Sequence, residues 1–408
     1  MDRLRNLPWE ALAGLAGTVL PAVQRVLEGS AAEREIDRLL RAHPELSAEQ
    51  RTATVEAIFG VGLWRRRLAA HAGSHEPREL LFALLRDLGG VGDQRAAELA
   101  GLAPPLPPLV PAPERLADRW SLPDWIADSL LRDFPEEAEA LAAAMCEPGP
   151  ICLRANTLRI SREELARVLA EEGVQTRPTR FAPDGLVVIT TPAPSARPNL
   201  LALRAWREGL FEVQDEGSQL IAQLVRARPG ETVLDFCAGA GGKTLALACT
   251  MRGRGRLMAF DLDAERLQRL RLRATRAGAP VEIAHEPGGQ ADAVLVDAPC
   301  SELGTLRRGP DLRFRLREQD ALRFPARQRE ILESALRSVK PGGRLVYATC
   351  TLRQEEDEEV ALALEQAHPE LRRLEPDVPA ELVRGGFLRT FPHLHDTDGF
   401  FAAAWHRL

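Results

Sequence analysis

Residues 235–244, "DFCAGAGGKT", gather Gly239, Gly241, Gly242 and Lys243 within a few positions. A turn of this kind lets backbone pass close to a nucleotide, and the letters discriminate between loop types. A Walker-type phosphate loop needs glycine six residues before its lysine; here that residue is Cys237. A dinucleotide fingerprint needs Gly-x-Gly-x-x-Gly. Gly239 and Gly241 fill its first two places, but Thr244 occupies the third.

The loop type that survives is the methyl-donor loop of a Rossmann-like methyltransferase. There, Cys237, Ala238, Gly239, Ala240, Gly241, Gly242 and Lys243 would wrap S-adenosylmethionine, with glycines making room for it. An acid at the end of the next strand takes the ribose hydroxyls in this geometry, and Asp261, 22 positions after Gly239, stands where that acid belongs. Lys243 is one of only two lysines, with Lys340, among 53 basic residues. A chain that otherwise uses arginine keeps a compact point charge in this loop, which a planar guanidinium does not imitate.

Two cysteines end apolar runs: Cys300 in "VDAPCS" and Cys350 in "YATCT". One lone cysteine in a strand is usually a small core residue. Two at strand ends beside a methyl donor suit a specific reaction. Carbon 5 of cytosine is too weak a nucleophile to attack a sulfonium methyl unaided. A thiolate adding at carbon 6 places electron density on carbon 5, and covalent catalysis then splits one hard step into easier ones. A carboxyl group is needed at the N3/N4 edge of the pyrimidine, and Asp297 is suitably placed. Enzymes that methylate exocyclic base nitrogens carry Asn/Asp-Pro-Pro-aromatic at this strand end; Asp-Ala-Pro-Cys departs from it.

These residues need a frame that brings strand ends together. From about residue 206 the sequence alternates strands and helices: "TVLDFCA", "GRLMAFDLD", "PVEIAH", "ADAVLVDAPC" and "RLVYATC" are separated by helical stretches. Continuous apolar strands of this kind predict a doubly wound, mostly parallel α/β sheet covered on both faces, with ligands at the carboxyl ends of its strands. Upstream, 151–205 reads as a small α/β module, with Ser161-x-x-Glu164 capping its helix and "PAPSARP" as its exit loop. Residues 104–150 read as a proline-rich linker followed by helices, and residues 1–103 as all helix, with a capping box at Ser47-x-x-Gln50. Residues 206–408 form the expected methyltransferase domain.

The 408 residues suffice for two or three domains. No apolar run reaches the roughly 18 residues of a membrane span, and the N-terminal segment has no signal-peptide pattern. Six cysteines without paired spacing predict reduced thiols and a cytoplasmic protein. His71/His75 and His393/His395 lack partners at ligand spacing, so no metal site is expected. A net charge of −6 hides local excess: residues 252–276 and 307–329 each carry eight arginines against three acids. Beside the glycine loop, such runs predict a phosphate-backbone surface.

With these motifs in place, residues 211–408 resemble the RNA cytosine-5 methyltransferases. "FEVQDEGSQL", "DFCAGAGGKT", "DAPCSELGTLRRGPDLRFR", "KPGGRLVYATCTLRQEEDE" and "TDGFFAA" match successive motifs of that family in order. "LRANTLRISREELARVLAEEGV" is similar to its N-terminal RNA-binding extension, and the helical start resembles the antitermination factor NusB. The resemblance implies S-adenosylmethionine as methyl donor and RNA, small-subunit ribosomal RNA above all, as partner. It implies Cys350 as nucleophile, Cys300 as the group that helps release product, Lys243 and Asp297 in the pocket, and Asp261 on the donor's ribose. DNA cytosine-5 methyltransferases use the cysteine after proline as nucleophile, which leaves the reversed assignment open.

The chain departs from the family pattern at three places. Ala240 replaces a proline, Ser301-Glu302-Leu303 replaces Ser-Gly, and the link "HEPGGQ" lacks the aspartate that approaches the donor's adenine, leaving His285 or Glu286 as substitutes. The short link would also suit a non-catalytic RNA-binding or ribosome-assembly factor on a degenerate fold; the two intact cysteines oppose that reading.

Overall fold

The computed structural model describes residues 2–104, 106, 113–189, 199–284, 286, 289–309 and 311–408. The chain divides into two compact units. The expected exit loop at 192–198, and most of the proline-rich linker, lie outside the described residues.

The first unit is helical. Its longest helix, Ala48–Ala72, starts at the Ser47–Gln50 capping box and stops at Gly73, whose φ of +63° ends the helix in the left-handed region. This helix packs with Ala16–Leu27, Ala32–Ala42 and Pro77–Ala83 around Val19, Val23, Ile58, Val61, Leu68 and Leu84. Burying each such side chain stabilises the bundle by about 1.5–3 kcal/mol. The unit also takes in a late segment, Gly309–Arg315. Arg313 is fully buried there, donating to the carbonyls of Trp120 and Met145 at 3.3 Å and to the Cys146 sulfur at 3.2 Å. The Arg65 guanidinium lies 3.4 Å from the centre of the Phe314 ring.

The second unit holds two sheets. In the smaller, β1 (Cys152–Ala155), β2 (Thr176–Pro178), β3 (Gly185–Val188) and β4 (Phe211–Val213) are antiparallel in the order β2-β3-β1-β4. The helix Arg162–Glu171, capped by Ser161 and Glu164, contributes Leu165 and Leu169 to the core of this sheet. The domain boundary expected at 205/206 cuts across it, because β4 pairs with β1 from beyond that point.

Among the described residues the larger sheet has nine strands: β5 (Thr232–Asp235), β6 (Arg256–Ala259), β7 (Glu282–Ile283), β8 (Ala291–Asp297), β9 (Val339–Thr349), β10 (Leu371–Leu374), β11 (Val383–Arg384), β12 (Phe387–Thr390) and β13 (Phe400–Arg407). Strands β7, β6, β5, β8 and β9 are parallel neighbours, the Rossmann-like half that the apolar runs predict. β13 lies antiparallel on β9 and carries β12 and β10 on its far edge. Alternate residues feed opposite cores. Val233, Ala293, Leu295 and Val346 pack on one face, and Leu234, Val294, Val296 and Leu345 on the other. Both faces are apolar because helices cover both. Strand order reverses between β5 and β8, so their carboxyl ends open a crevice.

Candidate active site

Asp235, Asp261, Asp297 and Cys350 lie at or just past the carboxyl ends of β5, β6, β8 and β9, with Cys300 three residues beyond β8. A cavity of about 820 Å³ opens there. Its wall includes Cys237, Ala238, Gly239, Ala240, Gly242, Lys243, Asp261, Asp297, Cys300 and Cys350. Every expected site residue is thus brought together except Gly241. Gly241 begins the helix Gly242–Thr250 at φ +88°, and a Cβ there would meet Leu270 Cγ at 2.6 Å. Its glycine serves helix packing and not the cavity.

Asp261 fixes the loop. One carboxylate oxygen accepts the Gly239 amide and the other the Asp263 amide, both at 2.8 Å. Gly239 has φ +53°, and a Cβ built on it meets nothing within 4 Å, so the space beside it belongs to the cavity. That open cradle, an acid at the next strand end and a volume of this size fit S-adenosylmethionine. A Gly239→Ala substitution adds left-handed strain of about 1 kcal/mol and puts a methyl group into the cradle. We expect calorimetry to show donor binding weakened about tenfold or more; wild-type affinity in this variant would remove Gly239 from the donor's path.

Lys243 Nζ donates to Asp297 at 2.8 Å, with the lysine side chain one-tenth exposed. Burial pulls the Lys243 pKa down, but Asp297 and Cys350 more than offset it, and the net shift is upward. The ammonium therefore stays charged at neutral pH, facing the cavity beside the Cys350 sulfur. Asp235 is fully buried, accepts the Thr244 hydroxyl at 2.7 Å and is pushed up to about 7 by burial. Cys237 is a cavity thiol that burial holds protonated, well above its ordinary range.

The two sulfurs of Cys300 and Cys350 are 3.5 Å apart. Cys300 is buried, and Cys350 is the more exposed. The hydrogen bond to Cys350, with burial second, raises the Cys300 pKa well above the usual thiol value. This favours the thiol form of Cys300, and either sulfur can be the donor in the contact. The residue after it but one, Glu302, has φ +58° and lines the cavity.

Sequence reasoning missed the opposite wall. Arg327, Glu330, Ile331 and Ser334 line the cavity from the helix Phe324–Leu336, spaced three and four apart on one face. Phe236 and Phe260, whose rings meet edge to face at 5.5 Å, add an aromatic end. The helical spacing was a readable signal, but only once the wall it faces is known. His285 lies outside the described residues, and Glu286 is exposed and not on the cavity wall.

The arginine run at 307–329 needs correcting as a phosphate grip. Arg307 and Arg308 point inward to Asp398, and Arg308 also reaches Asp215 and the Pro150 carbonyl. Arg313 is buried as described above. Arg317, Arg323, Arg327 and Arg329 are exposed. Burial pushes Asp215 up to about 6, with Asp398 adding to the shift. In the 252–276 run, Arg273 and Arg276 are likewise engaged, both with the buried Glu212.

The model for the 16S rRNA methyltransferase RsmB/F family matches residues 222–406, which carry the cavity, the glycine loop and both cysteines. The ribosomal RNA small subunit methyltransferase B of Pseudomonas putida is 31% identical over 375 residues, spanning 86% of this chain and 82% of that protein. The chain belongs to the RsmB/F family. Consistent with that membership, a model for the ferredoxin-like domain of RsmF/B-like methyltransferases matches residues 122–194. The crystal structure of PH0851 aligns over 98% of this chain and 99% of its own, with a TM-score of 0.75 and 26% identity. NSun6 from Pyrococcus horikoshii, solved with SFG, shares the fold over 70% of this chain and 98% of its own at a TM-score of 0.63 and 22% identity. This RsmB/F member is an RNA methyltransferase, and S-adenosylmethionine is its methyl donor. Among the described residues no helix is long and apolar enough to cross a membrane, and no group of three or more His, Cys, Asp or Glu is arranged to hold a metal ion.

Proposed function

We propose that this chain methylates carbon 5 of a cytosine in small-subunit ribosomal RNA through a transient bond between Cys350 and carbon 6. The observation that carries the reading is the pair of thiols, 3.5 Å apart, on the wall of the cavity that the glycine loop also lines. When bound, S-adenosylmethionine supplies the electrophilic methyl group. Cys350, the more exposed sulfur, forms the bond to carbon 6 and so makes carbon 5 nucleophilic. Asp297 meets the N3/N4 edge of the ring, oriented by Lys243, whose positive charge the site retains. Asp261 holds the donor's ribose. After transfer, a base takes the carbon-5 proton, the freed electron pair restores the carbon 5–carbon 6 double bond, and Cys350 departs as thiolate, with Cys300 assisting release.

The target base must leave its stack to reach such a cavity. Arg327, exposed and on the cavity wall, supplies a cation for the RNA backbone there. We read residues 1–103 as a NusB-like domain and the four-stranded sheet β1–β4 with its helix as an RNA-presenting module. All six cysteines are free, which suits the reducing cytoplasm. Bisulfite sequencing of small-subunit ribosomal RNA tests the reading. A cytosine protected in cells with the gene should become convertible in cells without it; an unchanged protection pattern would refute the assignment.

A further inference from the structure

Glu356 comes from an acidic run, "QEEDEE", whose letters read as a solvated surface, yet it is fully buried. Its carboxylate lies under the two turns that carry the cysteines. One oxygen accepts the amide of Ser301, the residue after Cys300, at 2.9 Å. The same oxygen accepts Gln328 Nε2 at 3.2 Å, and that amide group also donates to the carbonyl of Pro299, the residue before Cys300, at 3.0 Å. Cys300 is thus held from both sides by one buried pair, Glu356 and Gln328.

The second turn joins the same anchor. The hydroxyls of Ser301 and Thr351, each directly after one of the cysteines, are 2.6 Å apart. Thr351 in turn accepts the Arg353 amide at 3.4 Å. Arg353 closes the cluster by donating to the other Glu356 oxygen at 3.3 Å. The Gly304 amide donates to the Cys350 carbonyl at 3.0 Å, where a Cβ would stand 2.9 Å from that oxygen and 2.0 Å from the carbonyl of Gly399.

Burying a carboxylate costs several kcal/mol unless donors surround it. A neutral side chain would hold one turn at less cost; a carboxylate can serve several donors at once. Here those donors come from both cysteine turns. Glu356 is not on the cavity wall, so it acts on the reaction only through the thiols.

We propose that Glu356, with Gln328, is a positioning residue that fixes the separation and aim of the Cys300 and Cys350 thiols. The proposal rests on the two-thiol reading above. Adduct release needs both sulfurs in register, and a displacement of about 1 Å can cost about 100-fold in rate. Loss of the brace should therefore lower kcat for RNA methylation while leaving KM for RNA in place, and should raise the share of enzyme caught as RNA adduct.

The test uses the purified full-length chain and two readouts. The first is a proximity ruler that needs no RNA. Diamide takes two hydrogens from a thiol pair and leaves a disulfide, so the rate of the Cys300–Cys350 crosslink, followed by peptide mass spectrometry, reports their separation. Glu356→Ala should slow it about tenfold or more, and Glu356→Gln by less, because its amide oxygen still accepts the Ser301 amide. The second readout is kcat, KM and gel-stable adduct with RNA. Should Glu356→Ala fail to fold, Thr351→Val decides: it keeps the shape, removes the Ser301 link and should slow the crosslink about threefold. A folded variant with wild-type crosslinking rate and wild-type kcat overturns the proposal. Slowed crosslinking in the variants, alongside a wild type that leaves RNA cytosine unmethylated, keeps the brace and sinks the reaction assigned to it.

Discussion

Cys350→Ala is expected to reduce transfer of labelled methyl groups to RNA by on the order of 10⁴-fold or more, to background. The substitution removes one sulfur from a half-buried position at a strand end, so the fold and the donor cradle should survive. What is lost is the bond to carbon 6, and without it carbon 5 has no electron density to offer. Calorimetry should therefore show S-adenosylmethionine binding near the wild-type value while filter counting of tritiated RNA shows none. Retained transfer would move the nucleophile to Cys300, the reversed assignment that the sequence leaves open.

Cys300→Ala should fail differently. Cys350 still attacks and the methyl group still moves, but the thiol beside the adduct is gone. We expect at most one methyl group per enzyme molecule, and an RNA–protein species that survives denaturing electrophoresis and disappears in the Cys300/Cys350 double alanine variant. The proposed roles follow the asymmetry of the pair: Cys300 is buried, with its pKa raised by its contact with Cys350, and Cys350 is the more exposed. Multiple turnovers without adduct in Cys300→Ala would remove it from the release step.

The parallel half of the large sheet was legible because its strands are unbroken apolar runs bounded by turn residues, as in Ala291–Asp297. Helix starts were equally plain, since Ser47 and Ser161 carry their capping partners three residues on. The antiparallel strands were not. β11 has two residues, and the register of β13 on β9 is set by packing between segments about fifty residues apart, which no local period records. The boundary at 205/206 missed β4 for the same reason, its partner β1 lying far upstream.

The site followed a similar division. The residues that the motif letters single out, from Cys237 to Cys350, line one cavity, except Gly241, because a glycine demanded by Leu270 reads like one demanded by a ligand. Charge runs misled most. Arg307 and Arg308 look solvated in sequence, but their acids, Asp215 and Asp398, lie about ninety residues away on either side. Glu356 sits in an acidic run that reads as surface, yet it and Asp357 are fully buried.

The burial of Arg313 bears on the order of events during translation. Residues up to 147 emerge from the ribosome first, yet the guanidinium that takes up the Trp120 and Met145 carbonyls is made only after strands β5 to β8. On a nascent chain the amino-terminal bundle therefore waits for a late instalment of its own interior. A message truncated before codon 313 would yield that bundle without the donor that meets the Met145 carbonyl, while the Cys146 thiol still reaches the Trp120 carbonyl.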